Sequence, residues 1–314
     1  MPFFSVIIPT YNRKEHLHKA IESLEKQTYR DFELIIADDG SSDGTEEFVK
    51  SFKSNLKIKY HRHENAGRSA ARNMGLGYAI GKIVLFIDDH CYADKRLLEE
   101  HFNMHQNLRY TKYNIVRGYA PLVSSLDKIS TDPKRIDMLS FKFRGEQNPF
   151  VSFFTGNVSI DRKALNDVGG FDENFKEYGF QDSELGYRLV KAGNKIKVNP
   201  NALVYVVSVG LPFEKRCDKM RQAGHSAVVL LRKNFYLGLY VGVNPINLLL
   251  YLLFSFKNNW LLERLYRSRL NKFDPGTKKR IQIENRIRYY YFLIGIWEKL
   301  FNTTQLREYY EAKA

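Results

Sequence analysis

Two pairs of neighbouring aspartates, each set directly after a short apolar run, are the residues of this chain best suited to chemistry. Asp38 and Asp39 follow ELIIA and lead into GSSDGT; Asp88 and Asp89 follow IVLFI and are followed by His90. If those runs are strands of an open α/β sheet, both pairs lie at carboxyl ends, where that architecture binds ligands. Carboxylates gathered there repel one another unless positive charge lies between or beside them. A divalent cation carrying a diphosphate meets that need, because the metal takes carboxylate oxygens while bridging phosphate oxygens. His90 can add an imidazole, a donor that suits Mn²⁺ better than Mg²⁺. Aspartate at a strand end is also a plain turn former or helix cap, and a lone histidine is often just a polar loop residue. Residue type alone leaves those readings open.

The elements that must position these groups alternate along the first ninety residues. Phe4–Pro9, Leu34–Ala37 and Ile83–Ile87 are nearly continuous apolar runs, the pattern of parallel strands buried on both faces. Between them lie helical patterns over Lys14–Gln27, with Leu17, Ala20, Ile21 and Leu24 on one stripe, then Gly44–Phe52 and Ser69–Ala79. This alternation predicts βαβ units and a doubly wound open sheet. No GxGxxG follows the first strand and no GxxxxGK[ST] occurs, so dinucleotide and P-loop readings lose their main support. From Ile115 to Ser208 the strands shorten between Gly and Pro punctuation, with one clear helix over Asp182–Ala192.

Charge divides the chain differently. The 314 residues carry 49 Lys and Arg against 35 Asp and Glu, a net +14. Residues 211–314 hold 19 basic and 8 acidic side chains, a net +11, which leaves +3 for the first 210. The last third is thus a cationic extension, with apolar stretches at Leu237–Phe256 and Tyr289–Leu300. Leu237–Phe256 is long enough to cross a bilayer, but Asn244, Pro245 and Asn247 sit at its centre. Three readings stay open: a buried helical pair, a segment lying on anionic lipid, and a span. Tyr and Arg interleave here, yet no nucleic-acid-binding module is legible, and no nucleic-acid partner is expected. Two cysteines, Cys91 and Cys217, exclude a disulfide scaffold and fit a reducing compartment. The first residues have no basic flank and no small-residue cleavage site, so no signal peptide is expected.

Five blocks, in order, resemble family 2 of the glycosyltransferases: SVIIPTYNR (5–13), ELIIADDGSSDGT (33–45), ENAGRSAARNMGL (64–76), LFIDDH (85–90) and TGNVSIDRKALNDVGGFDENFKEYGFQDSELGYRL (155–189). The resemblance covers about residues 4–208. It implies a GT-A fold, a Rossmann-like open sheet with a nucleotide-sugar-binding half (1–110) and an acceptor and catalytic half (111–210). The basic helical extension (211–314) follows. It also implies that Pro9 and Tyr11 border the nucleotide base and that Asp39 accepts a hydrogen bond from it. Arg72, rather than Arg68, matches the arginine that binds the nucleotide sugar. Asp88, Asp89 and His90 occupy the metal position, with Asp89 and His90 as ligands and Asp88 on ribose or metal. Gly156 and Asn157 would lie near the transferred sugar, and Asp182 would be the general base.

Two departures matter. Gln181 stands where relatives usually carry Glu, and NALVYVVSV lacks the histidine that some relatives use as a further metal ligand. The implied reaction is metal-dependent, inverting transfer of a sugar from a nucleoside-diphosphate sugar to an acceptor hydroxyl, with Mn²⁺ or Mg²⁺ as cofactor and a UDP-sugar as donor. The acceptor would be a saccharide or a lipid-linked molecule, in polysaccharide, glycolipid or glycoprotein synthesis. The expected location is cytoplasmic or peripheral on the inner face of the membrane. A nucleotide-sugar-binding protein without catalysis, and a nucleotidyltransferase, are the alternatives. Arg144 and Glu146 could touch the acceptor or be merely solvated.

Overall fold

The computed structural model describes residues 1–108, 113–123, 153–207, 212–241, 267–270 and 276–301, with isolated positions at 243, 246, 249 and 272–274. Leu237–Phe256 lies largely outside the described residues, and Arg144 and Glu146 lie wholly outside them. The chain divides into two compact units: Met1–Lys176 with Gln181–Val209, and Glu177–Phe180 with Gly210–Ala314.

The first unit begins β1 (Phe4–Thr10), α1 (Lys14–Glu25), β2 (Phe32–Asp38), α2 (Thr45–Ser51), β3 (Ile58–Arg62), α3 (Arg68–Tyr78) and β4 (Ile83–Phe86). It continues β5 (Cys91–Ala93), α4 (Leu97–Leu108), β6 (Tyr113–Tyr119), β7 (Leu122–Val123), β8 (Val158–Asp161), α5 (Arg162–Asp167), α6 (Gln181–Lys191) and β9 (Lys195–Val207). Among the described residues the sheet runs β3-β2-β1-β4-β8-β6-β9-β5, with β7 also on β9. The β3-β2-β1-β4 part is parallel, whereas β8 runs antiparallel to both β4 and β6.

The apolar runs become strands because both faces are covered. Val6 and Ile8 of β1 enter one core with Leu17, Ile21 and Leu24 of α1, while Ile7 enters the opposite core with Ala71 and Leu76 of α3. The chain leaves β1 toward β2 and β3 and then returns to place β4 on the other side of β1. The strand order therefore reverses between β1 and β4, and a crevice opens at their carboxyl ends. Helix α3 lies close to the sheet because it is slim. A side-chain carbon at Gly75 would sit 2.5 Å from Ile7 Cγ2, and Ala70 and Ala71 are buried beside it.

In the second unit, α7 (Phe213–Lys233) packs along α9 (Lys278–Phe301), with α8 (Phe235–Tyr240) between them in sequence. Ala223, Ala227 and Val228 meet Phe292 and Ile296. The backbones approach so closely that a side-chain carbon at Gly295 would overlap the Arg221 carbonyl, and one at Gly224 the Phe292 carbonyl. The apolar stretch Tyr289–Leu300 lies within α9 and contributes to that contact. Leu237–Phe256 begins inside α8, which ends at Tyr240. Among the described residues no helix is long and apolar enough to cross a membrane.

Candidate active site

The loops after β1 and β2 are laced together. The Asn12 amide donates to Ser41 Oγ (2.9 Å) and Asn12 Oδ1 accepts from the Ser42 amide (2.7 Å). This holds Asn12 in the left-handed region at φ 52°. Pro9 is half-buried and Tyr11 exposed on that loop. Asp38 accepts from the Ser41 amide (2.8 Å) and the Tyr60 hydroxyl (2.6 Å). Asp39 accepts from the Ala66 and Gly67 amides at 2.9 and 3.1 Å. Its carboxylate therefore tethers the NAG loop to the end of β2, just before α3.

Asp88 and Asp89 divide their contacts. Arg72, 3% exposed, donates from Nη2 to Asp88 Oδ1 at 2.7 Å. Asp89 accepts from Thr10 Oγ1 (3.1 Å) and Arg13 Nη1 (3.2 Å), and its Oδ1 lies 3.3 Å from His90 Nδ1. Burial works against charge on Asp88, but Arg72, His90 and Arg68 outweigh it and hold the carboxyl below its ordinary value. The helix-face arginine is thus neither exposed nor solvated. It is an internal cation aimed at the end of β4.

Asp182 stands at the start of α6. Thr155 donates to it twice, from Oγ1 at 3.0 Å and from its amide at 3.2 Å. Burial raises the Asp182 carboxyl above its ordinary value; Asp88 adds to the rise, while Arg72 and the Thr155 bonds oppose it. Arg72, Asp88 and Asp182 therefore share one electrostatic neighbourhood, although they come from α3, the end of β4 and α6. Two carboxyls of opposite tendency, one held ionised and one made more basic, suit division between charge stabilisation and proton acceptance.

Gly156 and Asn157 sit in the turn before β8, beside Thr155. The Asn157 side chain points into the core: Nδ2 donates to the Tyr119 and Ala202 carbonyls (3.1 and 2.9 Å), and Oδ1 meets His101 Nε2 at 2.9 Å. His101 Nδ1 and His105 Nε2 each lie 2.8 Å from Ser159 Oγ. Burial pushes both imidazoles down, to about 4 and about 3, so this buried chain is neutral. Asn157 thereby fixes the turn that carries Thr155.

Asp88, His90 and Cys91 place one potential donor atom each within 4.8 Å of one another. Burial raises the Cys91 thiol well above its usual value, with Asp88 adding to the effect, so the sulfur stays protonated and is a poor ligand. The carboxylate and imidazole remain, an oxygen and nitrogen donor pair that would fit Mn²⁺ or Mg²⁺. Asp89 stands alongside, anchored by Thr10 and Arg13. Sequence reasoning passed over Thr10, Arg13 and Thr155, although each lies in a quoted block, because a hydroxyl's role depends on which carboxylate the fold brings to it.

An open sheet with reversed strand order, carboxylates at the β2 and β4 ends and a third carboxyl from a later helix defines the GT-A class of glycosyltransferase architecture. The model of glycosyl transferase family 2 matches residues 5–169, and the chain belongs to that family. A model described as the N-terminal domain of galactosyltransferase matches residues 138–209. The uncharacterized glycosyltransferase YfnE of Bacillus subtilis is 32% identical over 264 residues, 69% of this chain and 66% of that protein. The chain spans less of other curated relatives, 54% and 37% of two of them. Among solved structures, the mannosyltransferase PcManGT from Pyrobaculum calidifontis, in complex with GDP-Man and Mn²⁺, is similar at TM-score 0.60 and 17% identity. That match covers 96% of this chain and 88% of the other. S. aureus TarS 1–349 in complex with UDP is similar at TM-score 0.52 and 23% identity, covering 72% and 65%.

Proposed function

We propose that this chain transfers a sugar from a nucleoside-diphosphate sugar, with a UDP-sugar as donor, to an acceptor hydroxyl with inversion at the anomeric carbon. The observation that carries this reading is the half-buried Asp182, made more basic by its surroundings and within electrostatic reach of the Arg72–Asp88 pair. Fold neighbours that bind UDP in one case and GDP-Man with Mn²⁺ in the other support a nucleotide-sugar donor.

The acceptor oxygen bonds to the anomeric carbon as the bond from that carbon to the diphosphate oxygen breaks. The hydroxyl proton passes to a carboxylate oxygen of Asp182. Thr155 holds that carboxylate in one orientation through two hydrogen bonds. Negative charge grows on the departing diphosphate, and Arg72 stabilises it more in the transition state than in the ground state. Asp88, Asp89 and His90 would hold Mn²⁺ or Mg²⁺, which supplies a further positive charge against the diphosphate when bound. Pro9 and Tyr11 border the base, and Asp39, which also accepts from the Ala66 and Gly67 amides, accepts a hydrogen bond from it. Gly156 supplies close backbone beside the sugar.

The acceptor is a saccharide or lipid-linked molecule in surface polysaccharide, glycolipid or glycoprotein synthesis. The enzyme works at an anionic membrane surface on the cytoplasmic side, attached peripherally through its basic extension. The deciding experiment is Asp182→Asn, assayed with UDP-sugars and Mn²⁺. Loss of turnover with donor binding retained, read as a ligand-induced rise in melting temperature, supports the assignment. Transfer at the wild-type rate refutes it. Donor binding without turnover in the wild-type chain itself would identify a non-catalytic binding protein.

A further inference from the structure

Helix α8 carries an exposed aromatic face on the basic unit. Phe235, Tyr236 and Tyr240 are 62%, 80% and 56% exposed, whereas Leu237 is 4% exposed. The helix is firmly seated on its other side. A side-chain carbon at Gly238 would overlap Leu231 of α7, and Asn234 caps the start by accepting from the Leu237 amide at 3.0 Å. The three aromatic rings therefore project outward from an anchored element. Ile246 and Leu249, a little further on, are also exposed. Leaving such rings in water forgoes their burial, which makes a grouped set of them a contact surface rather than chance exposure.

Among the described residues, the charged side chains adjoining this face in sequence are basic. Exposed Arg232 and Lys233 end α7 immediately before it. Among the described acidic side chains of the unit, Glu284 pairs with Arg216 and Arg280 and Glu298 with Arg221 and His225, both turned inward, while Glu214, Asp218 and Asp274 are exposed, Glu214 paired with Arg267. What is left toward solvent is weighted to lysine and arginine, in a region whose net charge is +11.

We infer that this face docks on an anionic lipid bilayer. Tyr236 and Tyr240 enter the boundary between headgroups and acyl chains, where rings with an apolar body and a polar tip are most stable, and Phe235 adds apolar area beside them. Arg232 and Lys233 meet headgroup phosphates. Lysine beside the patch favours this occupant over a protein, since protein interfaces are depleted in lysine. The inference rests on the membrane attachment proposed above and gives it a location.

The test uses the full chain, flotation with vesicles of phosphatidylcholine alone or with roughly a third phosphatidylglycerol, and a double variant, Phe235→Ser with Tyr236→Ser. Both positions are exposed, so an unchanged melting temperature verifies the fold. The wild type is expected to float with the anionic vesicles at low salt and to lose binding at high salt. The double variant should lose on the order of ten-fold or more in affinity. Undiminished binding by the double variant overturns the location while leaving membrane attachment standing. Failure of the wild type to float overturns both. Self-association that the double variant abolishes, without vesicle binding, would assign the face to a second copy and refute the lipid assignment. Donor binding by thermal shift is read in parallel and stands or falls independently.

Discussion

Replacing Thr155 by Val removes one hydroxyl of nearly constant shape from beneath the proposed base. The Oγ1 lies 3.0 Å from both Asp182 oxygens, and the backbone contact at 3.2 Å survives the change. A hydrogen bond to a charged group is worth about 1.5–3 kcal/mol. Losing it disfavours the ionised carboxylate and raises its proton affinity beyond the rise that burial already imposes. The acid limb of the pH profile moves upward. On that limb the fraction of active base, and with it kcat/KM, falls roughly ten- to a hundred-fold, since about 1.4 kcal/mol corresponds to a factor of ten. At high pH, where Asp182 is ionised in both proteins, the rates converge. The assay is release of nucleoside diphosphate from a UDP-sugar with Mn²⁺, measured across the pH range. A loss of equal size at every pH, or no loss, refutes the reasoning.

Arg72→Ala leaves Asp88 without its main counter-charge at an otherwise buried contact. Urea unfolding is expected to lose roughly 2–3 kcal/mol, below the range for fully buried pairs because Asp88 keeps some solvent, and donor-induced stabilisation should shrink as well. Gly295→Ala places a methyl against the Arg221 carbonyl and should destabilise the second unit by about 1–3 kcal/mol or more, visible as a lower melting temperature. Burial opposes charge on His225, but hydrogen bonds to Glu177 (2.7 Å) and Glu298 (3.2 Å) prevail and raise it to about 9. A raised histidine stabilises fully below its unfolded value near 6.5 and loses that contribution as pH climbs through about 9. His225→Gln should therefore flatten the alkaline fall in stability; a wild-type melting temperature that is level from pH 7 to 10 would contradict this.

The alternation of apolar runs and helical stripes was enough to read the first ninety residues as a parallel α/β sheet. Strands buried on both faces must be apolar throughout, and a sheet needs helices to cover it. The carboxylates were legible for a related reason: Asp38, Asp39, Asp88 and Asp89 end such runs. The second unit was less legible. Nothing local says that Gly224 and Gly295 allow two helix backbones to touch, because that requirement arises only when the helices meet.

What the chain by itself determined was therefore the set of elements and the chemical groups at their ends, since period and residue type are local properties. Only the tertiary structure decided how those groups share their contacts. Asp39 ties a loop, Asp89 leans on Thr10 and Arg13, Asn157 turns into a core of neutral histidines, and Thr155 reaches Asp182. Each of those pairings joins residues distant in sequence, and the burial that shifts Asp182 one way and Arg72's pull that shifts Asp88 the other exist only once the sheet is closed around them.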